Sequence, residues 1–213
     1  MKVKEIVDNM STEIICVIDK SGSMNSIKSD AIGGFNSFLK EQLDVKDDTR
    51  ITLSLFDTLF KPVYKNIPLE DAEMLTESTY VPSDMTALYD AIGLSIDEAM
   101  GRYTKSPESR PDRVLMVILT DGEENRSKEY GQERIFEMIK TQTEKEEWEF
   151  IFLAANQDAM KTGVSMGVKF GNTMTFASSS EGTQEVYAKM SASVKGYRSS
   201  KSKKADNLMN GQN

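Results

Sequence analysis

The chain reads Ile14-Ile15-Cys16-Val17-Ile18-Asp19-Lys20-Ser21-Gly22-Ser23 near its start. A five-residue apolar run of mostly β-branched residues predicts a buried strand, and a polar stretch leaves its end. In an extended segment residues i, i+2 and i+4 point the same way, so Asp19, Ser21 and Ser23 can converge on one point in space. One carboxylate and two hydroxyls are ligands that suit a hard divalent cation, and Mg²⁺ takes six oxygens near octahedral geometry. Gly22 lets the backbone turn tightly between the serines. Taken alone, the same residues are ordinary turn and helix-cap residues.

Two later stretches bear on that choice. Asp84-Met85-Thr86-Ala87-Leu88-Tyr89-Asp90-Ala91 opens an amphipathic helix with a threonine at its mouth. Val114-Leu115-Met116-Val117-Ile118-Leu119-Thr120-Asp121-Gly122 is a second apolar strand, ending in Asp-Gly. Separately, Thr86 would serve as a helix cap and Asp121-Gly122 as a turn. Together the three stretches resemble, in order and spacing, the metal-ion-dependent adhesion site of the von Willebrand factor type A domain. The resemblance covers roughly residues 11 to 198. It implies Asp19, Ser21 and Ser23 as ligands from a first loop, Thr86 from a second and Asp121 from a third. It also implies a bound Mg²⁺ or Mn²⁺ with one coordination position open to a carboxylate of a partner. The family often has glycine before the threonine; this chain has Ser83-Asp84-Met85, which leaves Asp84 as a further outer acid.

Elementary electrostatics favours a cation at such a point. Two carboxylates about 5 Å apart repel by on the order of 3 kcal/mol at an effective dielectric of 20, and a dication removes that penalty. With Asp19 and Asp121 as its acids, the site leaves the ion electrophilic. The neighbouring Glu123 and Glu124 read as solvated turn residues, with outer-sphere charge as the alternative.

Composition narrows the chemistry. The 213 residues suit one α/β domain, and 38% hydrophobic with 28% charged residues fits a globular protein. There is no histidine, which removes Ser-His-Asp and Cys-His catalysis and histidine-held zinc. The net charge of −8 disfavours a nucleic-acid surface. Cys16 is the single cysteine and reads as a small buried hydrophobe. No 18-residue apolar run and no cleavage-site pattern is present, so the expectation is no membrane span and a cytoplasmic location.

Outward from the first strand (13–19), Ile27, Ala31, Phe35, Phe38 and Leu39 mark a helix face. Strands are predicted at 51–56 and 60–67, the second an antiparallel edge strand because of Pro62. A helix follows over 87–103, with Leu88, Ala91, Ile92, Ser95, Ile96 and Ala99 inward. Then come a strand at 113–120, a helix at 132–144, a strand at 148–154, a short helix at 157–164, a strand at 172–176 and a helix at 183–197. Alternating strands and helices imply a doubly wound, mostly parallel sheet with one antiparallel edge strand and helices on both faces, the Rossmann-like fold of the resemblance. In such sheets ligands bind outside the carboxyl ends of the strands, where the motif loops begin. By the same logic Asn156-Gln157-Asp158 should lie on the same edge as the metal loops, where it reads as a cap of the helix that follows, with side chains bordering the metal as the alternative. Residues 1–11 read as a leader, 12–198 as the domain, and 199–213 as a basic, disordered tail. The charge is +4 from residue 195 onward, which leaves −12 on the rest.

The expected function is a metal-dependent protein–protein interaction module, not an enzyme. The resemblance is to stand-alone intracellular members of bacterial or phage type. These often act as adaptors, for example beside AAA-type ATPases. The alternative is a Mg²⁺-dependent haloacid dehalogenase-type phosphatase, against which Ser21 stands where that family has a second Asp.

Overall fold

The computed structural model describes residues 10–155, 157–205 and 207–209, the side chains of 157–160 excepted. Six strands form one sheet: β1 (Thr12–Asp19), β2 (Thr49–Phe56), β3 (Phe60–Pro68), β4 (Arg113–Thr120), β5 (Glu149–Ala154) and β6 (Thr173–Thr175). Their order across the sheet is β3-β2-β1-β4-β5-β6. All neighbours run parallel except β2 and β3, which form the hairpin at one edge. Pro62 and the alternately exposed β3 fit that edge, where a strand needs no donor on its outer side. The helices are α1 (Lys28–Gln42), α2 (Leu88–Lys105), α3 (Gln132–Lys145), α4 (Gln157–Ser165) and α5 (Ser180–Ser199).

Strand periodicity divides the core in two. Ile14, Cys16 and Ile18 of β1, with Leu115, Val117 and Leu119 of β4, face Phe35 and Phe38 of α1 and Val186 and Val194 of α5. Ile15 and Val17, with Met116 and Ile118, face Ile92 and Ile96 of α2 and Ile135 and Ile139 of α3. β1 and β4 are buried along their whole length, as central parallel strands covered on both faces must be. Helix α1 meets α5 closely at Gly34, where a Cβ would lie 2.2 Å from the Tyr187 ring.

The parallel register lines up the strand ends. Asp19 stands beside Phe56, Ile18 beside Leu119, and Thr120 beside Ala154. The loops carrying Asp19, Ser21, Ser23 and Asp121 therefore leave the carboxyl ends of neighbouring strands, and the Ala87 amide, bonded to the Asp57 carbonyl just past β2, brings Thr86 to the same end.

The amino end of β4 is tied to the end of the chain. Buried Arg113, the first residue of β4, donates to the carbonyls of Tyr197, Arg198 and Ser200, satisfying orphan acceptors at the end of α5. The stretch expected as a disordered tail behaves differently where it is described. The Ala205 amide donates to Glu149 at 3.0 Å, and the Met209 amide donates to the Gly171 carbonyl at 2.9 Å. Met209 is buried. Its polar composition concealed that two apolar residues, Leu208 and Met209, come near the end and find the core. Residues 1–9 of the expected leader lie outside the described residues; Ser11 already belongs to the body, exchanging hydrogen bonds with Asp112.

Candidate metal centre

Asp19 ends β1 fully buried. One carboxylate oxygen accepts the Ser21 amide at 2.6 Å and the other accepts the Thr120 hydroxyl at 2.6 Å. The Asp19 carbonyl accepts the Tyr80 hydroxyl at 2.6 Å. Beyond it the chain departs from the extended path expected from sequence. A 3-10 turn begins at Gly22 and runs to Ile27, so Ser21 and Ser23 converge through a tight turn rather than strand alternation. Their hydroxyl oxygens lie 3.1 Å apart, and Ser23 donates to Asp121 Oδ1 at 2.6 Å.

Thr86 arrives from the far side. Its backbone exchanges two hydrogen bonds with Asn125, N–H to Oδ1 at 3.0 Å and C=O from the Asn125 amide at 3.1 Å. The residue is 3% exposed, yet its hydroxyl makes no hydrogen bond among the described residues. It faces Gly122, where an added Cβ would lie 2.9 Å from Thr86 Oγ1 and 3.6 Å from Ser23 Oγ. Gly122 thus leaves room between the threonine and the second serine. All five residues expected as ligands meet at this point: Asp19, Ser21, Ser23 and Asp121 through hydrogen bonds or shared partners, and Thr86 across Gly122.

The charges here are uncomfortable. Burial, with a smaller push from Asp121, raises the Asp19 carboxyl to about 6 against the pull of the Thr120 and Ser21 bonds. Burial also raises Asp121, opposed by the Ser23 hydroxyl. Two destabilised carboxylates and three hydroxyls fit a hard dication. Among the described residues no group of three or more His, Cys, Asp or Glu is placed to hold an ion. A softer or acid-rich site is therefore not what this donor set makes.

Several supporting residues escaped the sequence reading. Asp57, at the end of β2, pairs with the Lys20 ammonium and accepts the Ser83 hydroxyl at 2.8 Å and the Leu59 amide at 2.8 Å. Burial alone would raise it, but these partners hold its carboxyl below the usual range. Its carbonyl accepts the Ala87 amide at 2.9 Å. One residue thereby ties the first loop, the second loop and the β2–β3 hairpin together. Glu124 is no solvated turn residue: it accepts the amides of Tyr89 at 3.0 Å, Arg126 at 2.7 Å and Ser127 at 2.7 Å. Asp90 likewise accepts the amides of Lys128, Glu129 and Tyr130. Asp84 takes a left-handed φ of 57°, the conformation a glycine would supply there, and its carbonyl accepts the Gly22 amide at 3.0 Å. Asn156 and the side chains of Gln157 and Asp158 lie outside the described residues.

This geometry has a counterpart in known proteins. A family model described as the von Willebrand factor type A domain matches residues 13–189. The chain belongs to that family. Solved structures agree with the von Willebrand type A fold. The D319A mutant of the PilB minor pilin from Streptococcus sanguinis aligns with a TM-score of 0.66 at 11% identity, over 92% of this chain and 64% of that one. Proximal thread matrix protein 1 from the mussel byssus, in a structure with a zinc-occupied MIDAS motif, gives 0.59 at 12% identity, over 84% of this chain and 47% of that one. The manganese-loaded TRAP protein of Plasmodium vivax gives 0.57 at 14% identity, over 84% and 72%. The chain thus spans about half the mussel protein and under two thirds of the pilin. At these identities the likeness is one of fold. No curated protein matches the sequence. The phosphatase alternative finds no support among these matches. Among the described residues no helix is long and apolar enough to cross a membrane.

Proposed function

We propose that this von Willebrand type A domain is a metal-dependent protein-binding module. Asp19, Ser21, Ser23, Thr86 and Asp121 would hold Mg²⁺ or Mn²⁺. Bound there, the ion would supply positive charge to an aspartate or glutamate presented by a partner protein. The chain's own part is to fix the hydroxyls, keep two carboxylates together and leave the outward side uncovered. The observation that carries this reading is the meeting of two carboxylates and three hydroxyls at one point, with Thr86 Oγ1 held across the gap that Gly122 leaves open. Two neighbouring carboxylates repel, and a dication held by hard oxygen donors removes that repulsion. The reading is non-catalytic: Ser21 stands where a haloacid dehalogenase-type phosphatase has its second aspartate, and the chain has no histidine. It includes a cytoplasmic setting, in keeping with the lone, buried Cys16, and an AAA-type ATPase as one class of partner.

Calorimetric titration of Mg²⁺ or Mn²⁺ tests the site. The wild type should bind one ion, and Asp19→Ala should bind none while keeping its circular dichroism spectrum. Undiminished binding by that variant would overturn the ligand set. Hydrolysis of a generic aryl phosphate in Mg²⁺ by the wild type would overturn the non-catalytic assignment.

A further inference from the structure

One charge of the wrong sign stands inside the metal motif. Lys20 lies between Asp19 and Ser21 in the chain, one residue from each. An ammonium group repels a dication, and the flexible stem of a lysine lets that charge swing toward a neighbouring site. Here the charge is taken elsewhere. The Lys20 side chain, 13% exposed, pairs with Asp57, 4% exposed, and approaches Ser83 Oγ at 3.4 Å. Its backbone is fixed on both sides: the Lys20 amide donates to the Phe56 carbonyl at 2.7 Å, and its carbonyl accepts the Ser83 amide at 2.8 Å. Asp57 is held as firmly, accepting the Ser83 hydroxyl on the oxygen that meets Lys20 and the Leu59 amide on the other. Among the described residues no hydrogen bond joins Asp57 to any of the five candidate ligands. A buried ion pair adds little net stability, because desolvation of both partners offsets their attraction. The adjoining cation site gives this pair another use.

We propose that Asp57 is a positioning residue for the metal site: it holds the Lys20 ammonium away from the ion, cancels its charge, and so sets the affinity for Mg²⁺ or Mn²⁺ without touching the metal. Opposite charge and a fixed backbone do this together. The carboxylate supplies the counter-charge, and the bonds to Phe56, Ser83 and Leu59 keep both partners in register. This inference rests on the metal reading above and adds to it what governs the strength of binding.

The test is calorimetric titration of Mg²⁺ into the full chain and three variants. Asp57→Asn keeps the shape and an oxygen for the Leu59 amide but releases the ammonium. Its Mg²⁺ affinity should fall about tenfold or more. Adding Lys20→Met to that variant removes the stray charge and should bring the affinity back to within about threefold of wild type. A role confined to bracing the loops predicts no such rescue. Lys20→Met alone keeps Asp57 on Ser83 and Leu59 and should bind Mg²⁺ at least as tightly as wild type, a reading that stands even if Asp57→Asn does not fold. Wild-type affinity in Asp57→Asn, a double variant closer to Asp57→Asn than to wild type, or weaker binding by Lys20→Met would each overturn the role of Asp57 and leave the metal reading standing. A wild type that binds no Mg²⁺ would overturn both.

Discussion

At the scale of single residues, the candidate site separates groups that serve the fold from groups that serve an ion. Thr86 is the sharpest case. Its backbone is fully engaged with Asn125 while its hydroxyl is idle. Thr86→Val keeps the shape and removes a hydroxyl that no hydrogen bond of the fold uses, so the metal-free protein should be about as stable as wild type. Mg²⁺ affinity should nevertheless fall tenfold or more, about 1.4 kcal/mol. Melts without metal and calorimetry with it check the two halves separately. Gly122→Ala should also weaken the ion, because its methyl group would crowd Thr86 Oγ1 at 2.9 Å. Asp19 adds a pH dependence. Its carboxyl moves from 3.8 to about 6 on folding, so between these values the native state binds more protons than the unfolded one. The metal-free fold should therefore lose on the order of 3 kcal/mol as pH rises through that window. A bound dication offsets that loss above pH 6. The rise in melting temperature on adding Mg²⁺ should accordingly be larger at pH 7.5 than at pH 5; equal shifts would remove Asp19 from this role. That these five residues would meet was legible because each follows an apolar run at a strand end or opens a helix. Thr120, Asn125 and Asp57 were not, because their partners lie 101, 39 and 37 residues away in the chain. No local pattern announces such a meeting.

At the scale of elements, the loops are held by carboxylates that accept backbone amides. Glu124 and Asp90 between them organise residues 126–130 and the first turn of α2. Glu124→Ala leaves three amides and the Ser127 hydroxyl without that acceptor, and should cost about 2–3 kcal/mol by denaturant unfolding. Asp84 tests the second loop. Asp84→Gly should be neutral or stabilising, since glycine accepts φ of 57° freely. Asp84→Val, β-branched at positive φ, should cost about 1–3 kcal/mol. Strand and helix positions were readable throughout, since apolar periodicity reports burial directly: β4 was expected and found at 113–120. The 3-10 turn after β1 was not readable. Its hydroxyl-rich residues suit extended and turning backbone alike, and the choice is made by Asp84, whose carbonyl holds the Gly22 amide from sixty residues away.

At the scale of the whole molecule, both ends of the strands are committed, the carboxyl ends to the site and the amino end of β4 to the stretch that follows α5. Removing residues 200–213 would strip the Ser200 carbonyl from Arg113, the Ala205 amide from Glu149 and Met209 from the core. A stability loss on the order of 3 kcal/mol is expected from one buried Met and two buried hydrogen bonds, read from the midpoint of chemical denaturation. An unchanged midpoint would show that the end contributes nothing. The strand order carries a consequence for synthesis. β1 is the first strand made, yet in the finished sheet it lies between β2 and β4. At roughly 5–20 residues per second, β4 follows it from the ribosome some 5–20 s later. For that interval the nascent chain displays a strand with a five-residue apolar centre, Ile14 to Ile18, and one unpaired edge, a template for association with its neighbours on the same message. The exposure ends when residue 120 has arrived and β4 can close that edge.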